Sequence, residues 1–465
     1  MARFLISAAH KSSGKTTVSI GVCAALKGRG LQVQPFKKGP DYIDPMWLSL
    51  ATGNPCRNLD FYLMGREEIV DVFEQKSSGM DVALVEGNKG LYDGLDLDGS
   101  NSNAALARLL DLPVVLVIDA RGMTRGIAPL ILGYQAFDRE IKIAGVILNH
   151  IGGSRHESKL RAVIEHYTDV TVLGAVQHDE SLSIAERHLG LMPSNEAKEA
   201  LNYVAHIGEA INQQVNLDAL LELGGKNPAK QQPQQIKAVP SGLKIAIARD
   251  SAFGFYYGDD LDAMESAGAE LIPFDTIQDA HLPKVDGIFI GGGFPEHFGK
   301  ELEANATMRQ DIRNAIEAGL PVYAECGGLM YLARSLTHNG QRWEMVGSIP
   351  GDINMHGKPI GRGYVRLRAT GEAQWGDKAE EEIPAHEFHY SSLDNLGPDI
   401  RYAYKVLRGH GVDGAHDGIV YKNLLASYTH LRSVRSHDWA DRFVAWVKKC
   451  KDKAESGQVG RSAVG

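Results

Sequence analysis

The sequence has little cysteine: Cys23, Cys56, Cys326 and Cys450 are the only four in 465 residues, and they show no paired spacing. This excludes a disulfide framework and a zinc ribbon, and it leads us to expect a reducing, cytoplasmic setting. Long apolar runs are missing too. No stretch approaches the ~18 residues a membrane-spanning helix needs, and the short run after Arg3 falls below the length of a secretory signal core. Nor is there an excess of positive charge. With 49 Lys and Arg against 58 Asp and Glu, the formal charge of −9 does not attract polyanions. Neither nucleic acid nor membrane is an expected partner.

What is present is a globular composition, 43% hydrophobic with 51 glycines, in a chain too long for one core. Strand-like apolar runs (3–8, 82–86, 113–119 and 142–148) alternate with helical periodicity, which predicts a parallel sheet covered by helices on both faces. From Gly224 to Gly242 periodicity gives way to Gln, Pro, Lys and Gly, the composition of a linker. A second α/β pattern opens at Lys244 to Ala248 and continues through 287–290 and 321–324. The expected organisation is a first α/β domain over 1–223, a linker over 224–242, a second α/β domain over 243–450 and a disordered tail over 451–465.

The first predicted strand runs into AHKSSGKTT and then a helical segment, the context a P-loop requires. Backbone N–H groups of Ser12, Ser13 and Gly14 would surround phosphates, Lys15 would reach the β- and γ-oxygens, and Thr16 would ligate Mg²⁺. Ala9 stands where the first glycine of the motif is usual, and a solvated Ser/Lys turn is the plainer alternative. Downstream, FKKGPDYIDP puts Asp41 and Asp44 in a constrained loop, where they would hold Mg²⁺ or a polar substrate. ALVEGNKGLYDG puts Glu86 at a strand end, a place for an acid on Mg²⁺, and Asp93 in a Gly-rich loop. Each acid alone is more often a turn cap or a surface charge. Three of them at strand ends after a P-loop favour function. No Asn-Lys-x-Asp occurs to read guanine.

In the second half a buried run ends in GGGFPE, and the next ends in AECGG. A cysteine between a strand and a helix start, followed by two glycines, suits a nucleophile elbow at Cys326. The amides of Gly292 and Gly293 are candidates for an oxyanion hole. ASYTHLR supplies His430 as a base. A lone Cys and a distant His would ordinarily be a core thiol and a surface imidazole, but the order GGGFPE, ECGG, SYTH changes that reading.

Taken together, SSGKTT, FKKGPDYIDP, NLD (Asn58 to Asp60), VEGNKGLYDG, VVLVIDARGM, GGGFPE, YAECGGLMYL, HEFHYS and ASYTHL resemble the cobyrinic acid a,c-diamide synthase family. Its members are class I glutamine amidotransferases whose synthetase half is similar to dethiobiotin synthetase. The resemblance implies an ATP-dependent ligase that amidates carboxylates of a tetrapyrrole with nitrogen from glutamine, with ATP and Mg²⁺ as cofactors. It also implies that Lys15 and Thr16 bind MgATP, that Glu86 supports the metal, and that Asp41, Tyr42 and Asp93 act where the acetate is activated. Cys326 would be the nucleophile and His430 its base. The sequence departs from the family at three places in the synthetase half. Leu48 stands where a substrate-facing histidine is frequent, GSNSN (Gly99 to Asn103) replaces GSTA, and the P-loop begins Ala9-His10-Lys11. These departures keep sirohaem and nickel sirohydrochlorin open as alternative substrates. A regulatory P-loop ATPase or a non-catalytic tetrapyrrole-binding relative would have no use for Cys326 and His430. Many class I glutaminases carry His-x-Glu, whereas His430 is followed by Leu431 and Arg432, so the resemblance supplies a Cys/His dyad and leaves open whether another group orients the base. A homo-oligomer is compatible with the sequence.

Overall fold

The computed structural model describes residues 1–182, 184, 186–187, 190–196, 199–225 and 242–462. The chain divides into two compact units, Met1–Gln234 and Gln235–Gly465. The division falls inside the segment read as a linker, of which 226–241 lie outside the described residues.

The first unit is built on seven parallel strands: β1 Ala2–Ala8, β2 Val33–Lys38, β3 Arg57–Leu59, β4 Val82–Glu86, β5 Val114–Asp119, β6 Ile143–Ile151 and β7 Thr171–Gln177. Their order is β3-β2-β4-β1-β5-β6-β7. Strands covered on both faces need apolar side chains at every position, which is why β1 and β4 read as continuous hydrophobic runs. Register matters most for function. Glu86, the last residue of β4, pairs with Ile6 of β1 on one side and with Lys37 of β2 on the other. The carboxyl ends of three strands therefore converge where helices α1 (Lys15–Gly28) and α2 (Ile43–Thr52) begin. Ligands of open parallel sheets bind in such a crevice.

The second unit holds a nine-stranded mixed sheet. Ala269–Phe274, Leu243–Ala248, Gly287–Ile290, Val322–Glu325 and Leu424–Ser427 lie side by side and parallel. Antiparallel strands His416–Tyr421, Arg401–Arg408, Gly361–Ala369 and Glu382–His389 extend it. One face is sealed by an aromatic layer in which Tyr323 packs on Phe289, Trp375, Trp439 and Phe443.

Two expectations shift. The strand read as 321–324 is Val322–Glu325, so Glu325 and not Ala324 is its last residue. The tail read as disordered from 451 continues a helix, Trp439–Ser462, and only 463–465 lie outside the described residues. Buried Trp439, Phe443 and Val447 anchor that helix, and the following Lys, Ala and Glu are good helix formers that prolong it. Among the described residues no helix is long and apolar enough to cross a membrane.

Candidate active site

The turn after β1 has the shape a phosphate cradle needs. Ser12 and Gly14 both have positive φ, 66° and 78°. Ser13 Oγ donates to the carbonyl of His10 at 2.8 Å. Asn149, at the end of β6, donates from Nδ2 to the carbonyl of Ser13 at 3.0 Å. A Cβ at position 14 would stand 2.0 Å from that amide nitrogen, so glycine is required there by space as well as by φ.

Beside this turn lies a compact charged cluster. Lys15 Nζ is ion-paired with Glu86, and Thr16 Oγ1 donates to Glu86 Oε1 at 2.7 Å with Asp44 Oδ2 as a second acceptor within reach at 3.2 Å. Lys37, only 1% exposed, pairs with Asp44, reaches Glu86 Oε1 at 3.1 Å and lies 3.6 Å from Asp41. Burial alone would lower Lys37, but Asp44, Glu86 and Asp41 outweigh it and hold its ammonium well above the usual lysine range. Burial lowers Lys15, with Glu86 opposing. Burial and the neighbouring Asp44 push Asp41 up to about 7. Burial works to raise Asp44 too, yet Lys37 and Lys15 bring it below its ordinary value. Asp41 Oδ1 also caps α2 by accepting from the amides of Ile43 and Asp44 at 2.9 and 3.3 Å. Asn58 holds the same loop through the carbonyls of Gly39 and Asp41, both at 2.8 Å.

The second unit carries a different chemistry. Cys326 follows strand Val322–Glu325 and precedes a short helix, with φ 48° and ψ −102°, a strained backbone for a non-glycine residue. It is an elbow, 7% exposed, that turns the thiol out of the sheet. His430 lies on the segment after strand Leu424–Ser427, whose Ser427 pairs in register with Glu325. Its imidazole is hydrogen-bonded to Cys326 on one side and, through Nδ1, to Glu325 Oε2 at 3.2 Å on the other. Glu325 Oε1 accepts from the amide of Leu431 at 2.9 Å and from the hydroxyl of Tyr323 at 2.6 Å. Burial disfavours a charged His430, but its bonds to Cys326 and Glu325 outweigh that and raise it to about 10. A Cβ on Gly292 would stand 2.7 Å from His430 Cε1, and one on Gly327 would stand 2.9 Å from the amide nitrogen of Gly293. Of the three glycines of the GGG run, Gly292 therefore packs against the His430 ring and Gly293 against the residue that follows Cys326.

Family models match each half separately. The CobQ/CobB/MinD/ParA nucleotide binding domain covers residues 5–191, and the CobB/CobQ-like glutamine amidotransferase domain covers residues 244–437. Over nearly the whole chain, the cobyrinate a,c-diamide synthase of Magnetococcus marinus is 46% identical, with 94% of this chain and 95% of the relative aligned. The chain belongs to the cobyrinate a,c-diamide synthase family. The synthase of Methanosarcina acetivorans is 43% identical (95% of this chain, 94% of the relative), and that of Listeria innocua is 40% identical (93% and 96%).

Against that family's expected site, Lys15, Thr16, Glu86 and Asp41 come together, as do Cys326 and His430. Asp93 does not join the acidic cluster: it is exposed, and its Oδ2 accepts from the amide of Gly90 at 2.9 Å within its own loop. Tyr42 is 8% exposed at the start of α2. Leu48 corrects an expectation. It is 0% exposed, on the face of α2 turned into the core, so it has no surface to offer a macrocycle. Three residues escaped the sequence reading. Lys37 sits in a run of two lysines that resembles a solvated strand end, and Asn149 carries no motif. Glu325 is directly before the nucleophile, not two residues after the base where the family pattern directs the eye.

Proposed function

We propose that the chain amidates the a and c acetate carboxylates of cobyrinate, using ATP to activate each carboxylate and glutamine as nitrogen donor. The observation that carries this reading is the Cys326–His430–Glu325 relay in a chain whose other unit holds Lys15, Lys37 and Glu86 around a P-loop turn. Such a pair of centres suits glutamine hydrolysis coupled to carboxylate activation and suits neither a switch ATPase nor a passive binder.

In the second unit His430 takes the proton of Cys326, and the thiolate attacks the glutamine carboxamide. Gly292 and Gly293 are the residues we assign to donate amide hydrogens to the oxyanion, and His430 returns the proton to the departing ammonia. Water then hydrolyses the thioester. Glu325 keeps the imidazole in the tautomer that serves Cys326. In the first unit Ser12, Ser13 and Gly14 would cradle the phosphates of ATP, and Lys15 and Lys37 would offset charge on the phosphoryl group as it passes to a substrate carboxylate. Ammonia displaces phosphate from the resulting acyl phosphate. Asp41 and Tyr42 border the same crevice and are the residues we assign to substrate; Asp93 is assigned a second, loop-borne contact there.

Magnesium fits the residues present. Glu86 is fully buried and, among the described residues, its Oε2 has no hydrogen-bond partner, while Thr16 presents its hydroxyl alongside. Among the described residues no three His, Cys, Asp or Glu side chains form a closed metal cage, in keeping with an ion that retains water and phosphate oxygens. When bound, the ion would neutralise phosphate charge; Thr16 and Glu86 would hold it.

With Leu48 in the core, the residue that had favoured a sirohaem-type ring no longer does so, and the named relatives act on cobyrinate. The four free thiols suit the cytoplasm. The test is to compare Cys326→Ser with wild type on cobyrinate and ATP, counting amides by mass. The variant should lose product with glutamine and keep it with ammonium. Full glutamine-dependent activity in the variant would refute the assignment.

A further inference from the structure

HEFHYS is among the segments that carry the family resemblance, yet nothing above gives it a task. In the structure it ends strand Glu382–His389 and runs alongside the nucleophile. Phe388 O lies 3.9 Å from Cys326 Sγ. His386 and His430 form an isolated antiparallel bridge, with His430 N donating to His386 O at 2.8 Å and His386 N to His430 O at 3.3 Å. Their rings stack, with centroids 4.9 Å apart and planes 17° from parallel. The other side of His386 is fixed too: its Nδ1 meets the hydroxyl of Tyr257 at 3.2 Å, and Tyr257 in turn lies under the Arg432 guanidinium, which is paired with Asp259 at 3.0 Å.

We infer that His386 is a positioning residue for the glutaminase reaction, whose ring stacks on His430 and fixes the plane in which the base faces Cys326. This rests on the proposed glutaminase role of Cys326 and His430. The physical need is clear from the neighbours. Glu325 fixes one atom of His430 and leaves the ring free to tilt about that hydrogen bond. Gly292 limits one edge only. The stacked ring of His386 supplies the missing face. It must also be uncharged, because a second imidazolium at 4.9 Å would oppose the charge that His430 acquires. Burial, reinforced by His430 and Arg432, lowers His386 well below the ordinary histidine value. The charged or titratable groups that face the pair include Cys326, Glu325, Tyr257, Arg432, Asp259 and Asp260. A neutral imidazole presents a π face to the His430 cation, an arrangement that is attractive.

The experiment compares His386→Ala with His386→Phe in the full chain, reading steady-state glutamine hydrolysis and the pH dependence of Cys326 alkylation by iodoacetamide. Loss of the ring in the Ala variant should lower kcat by about 10- to 100-fold with KM for glutamine within about twofold, since the base is misaligned and the binding surface is not. The alkylation profile should also move, because a displaced His430 stabilises the thiolate less. Phe restores a flat neutral face and should recover activity to within about fivefold of wild type. The inference is overturned if the Ala variant keeps wild-type kcat and alkylation profile, or if Phe is as impaired as Ala while both melt like wild type. Where a variant does not fold, the imidazole nitrogen shifts of histidine-labelled wild-type protein decide: His386 must stay neutral from pH 5 to 9, and titration within that window overturns the inference. Failure of the glutaminase assignment itself would look different, since wild-type protein would then release no ammonia from glutamine.

Discussion

Replacing Glu325 by Gln removes one charge and almost no volume from the relay behind Cys326. The carboxylate accepts three hydrogen bonds, from His430 Nδ1 at 3.2 Å, the Leu431 amide at 2.9 Å and the Tyr323 hydroxyl at 2.6 Å. Every partner is a donor. A glutamine amide offers one oxygen and one NH₂, so at least one buried donor must face another. If NH₂ turns toward His430, the ring is driven to the tautomer that cannot take the proton of Cys326. If it turns toward Leu431 and Tyr323, the bond to His430 survives without its charge assistance. The first arrangement matches the loss of the carboxylate in serine-protease triads, about 10⁴-fold in kcat; the second forfeits a charged hydrogen bond of about 1.5–3 kcal/mol, or roughly 10- to 100-fold. We therefore expect kcat for glutamine hydrolysis to fall by about 10- to 10⁴-fold, while ammonium-driven amidation persists. Continuous ammonia release, measured beside a thermal melt, checks it. A folded variant with kcat within threefold of wild type would refute the reasoning.

Lys37→Met leaves Asp44, Glu86 and Asp41 without their shared counter-charge, and breaking such a buried pair typically costs about 3–5 kcal/mol; melting should drop, recover in part with Mg²⁺, and synthesis should fail with either nitrogen donor. Asp41 is pushed up to about 7 from an ordinary 3.8, so the folded chain holds this proton more tightly and loses stability as the pH rises through that interval. Asp41→Asn keeps a competent helix cap and removes the burden, so its melting temperature relative to wild type should rise from pH 5 to pH 8 while amidation is lost; a relative fall over that range would contradict the shift. Leu48→His forces an imidazole into a fully buried apolar site and should destabilise by about 2–4 kcal/mol without redirecting substrate choice, which parallel melts and substrate competition will test.

Much of this is legible in the sequence. Strand Val82–Glu86 can be read to its last residue, because doubly covered parallel strands leave uninterrupted apolar runs, and the P-loop and the cysteine elbow are visible because their glycines answer to local backbone geometry. The partners that complete each centre are not. Lys37 looks like a strand-end charge until three strands bring their carboxyl ends together around it. Glu325 and His430 are 105 residues apart and meet only through the register of two neighbouring strands. The same ignorance of packing direction misled at Leu48, where a position on a helix was assigned to the crevice although its side chain faces inward.

Because Glu325 and Cys326 are consecutive residues, the two ends of the relay are welded to one strand while the base rides on the neighbouring one. Any sliding between the strands Val322–Glu325 and Leu424–Ser427 would break both of His430's contacts together, and bulk motion of either would leave the nucleophile and its remote carboxylate at fixed separation. Strand motion of that kind therefore has no intermediate setting in which the base keeps one partner and loses the other. A signal that reached it from elsewhere in the molecule would act as a switch and not as a dial, and the lever it must move is the segment bearing His430.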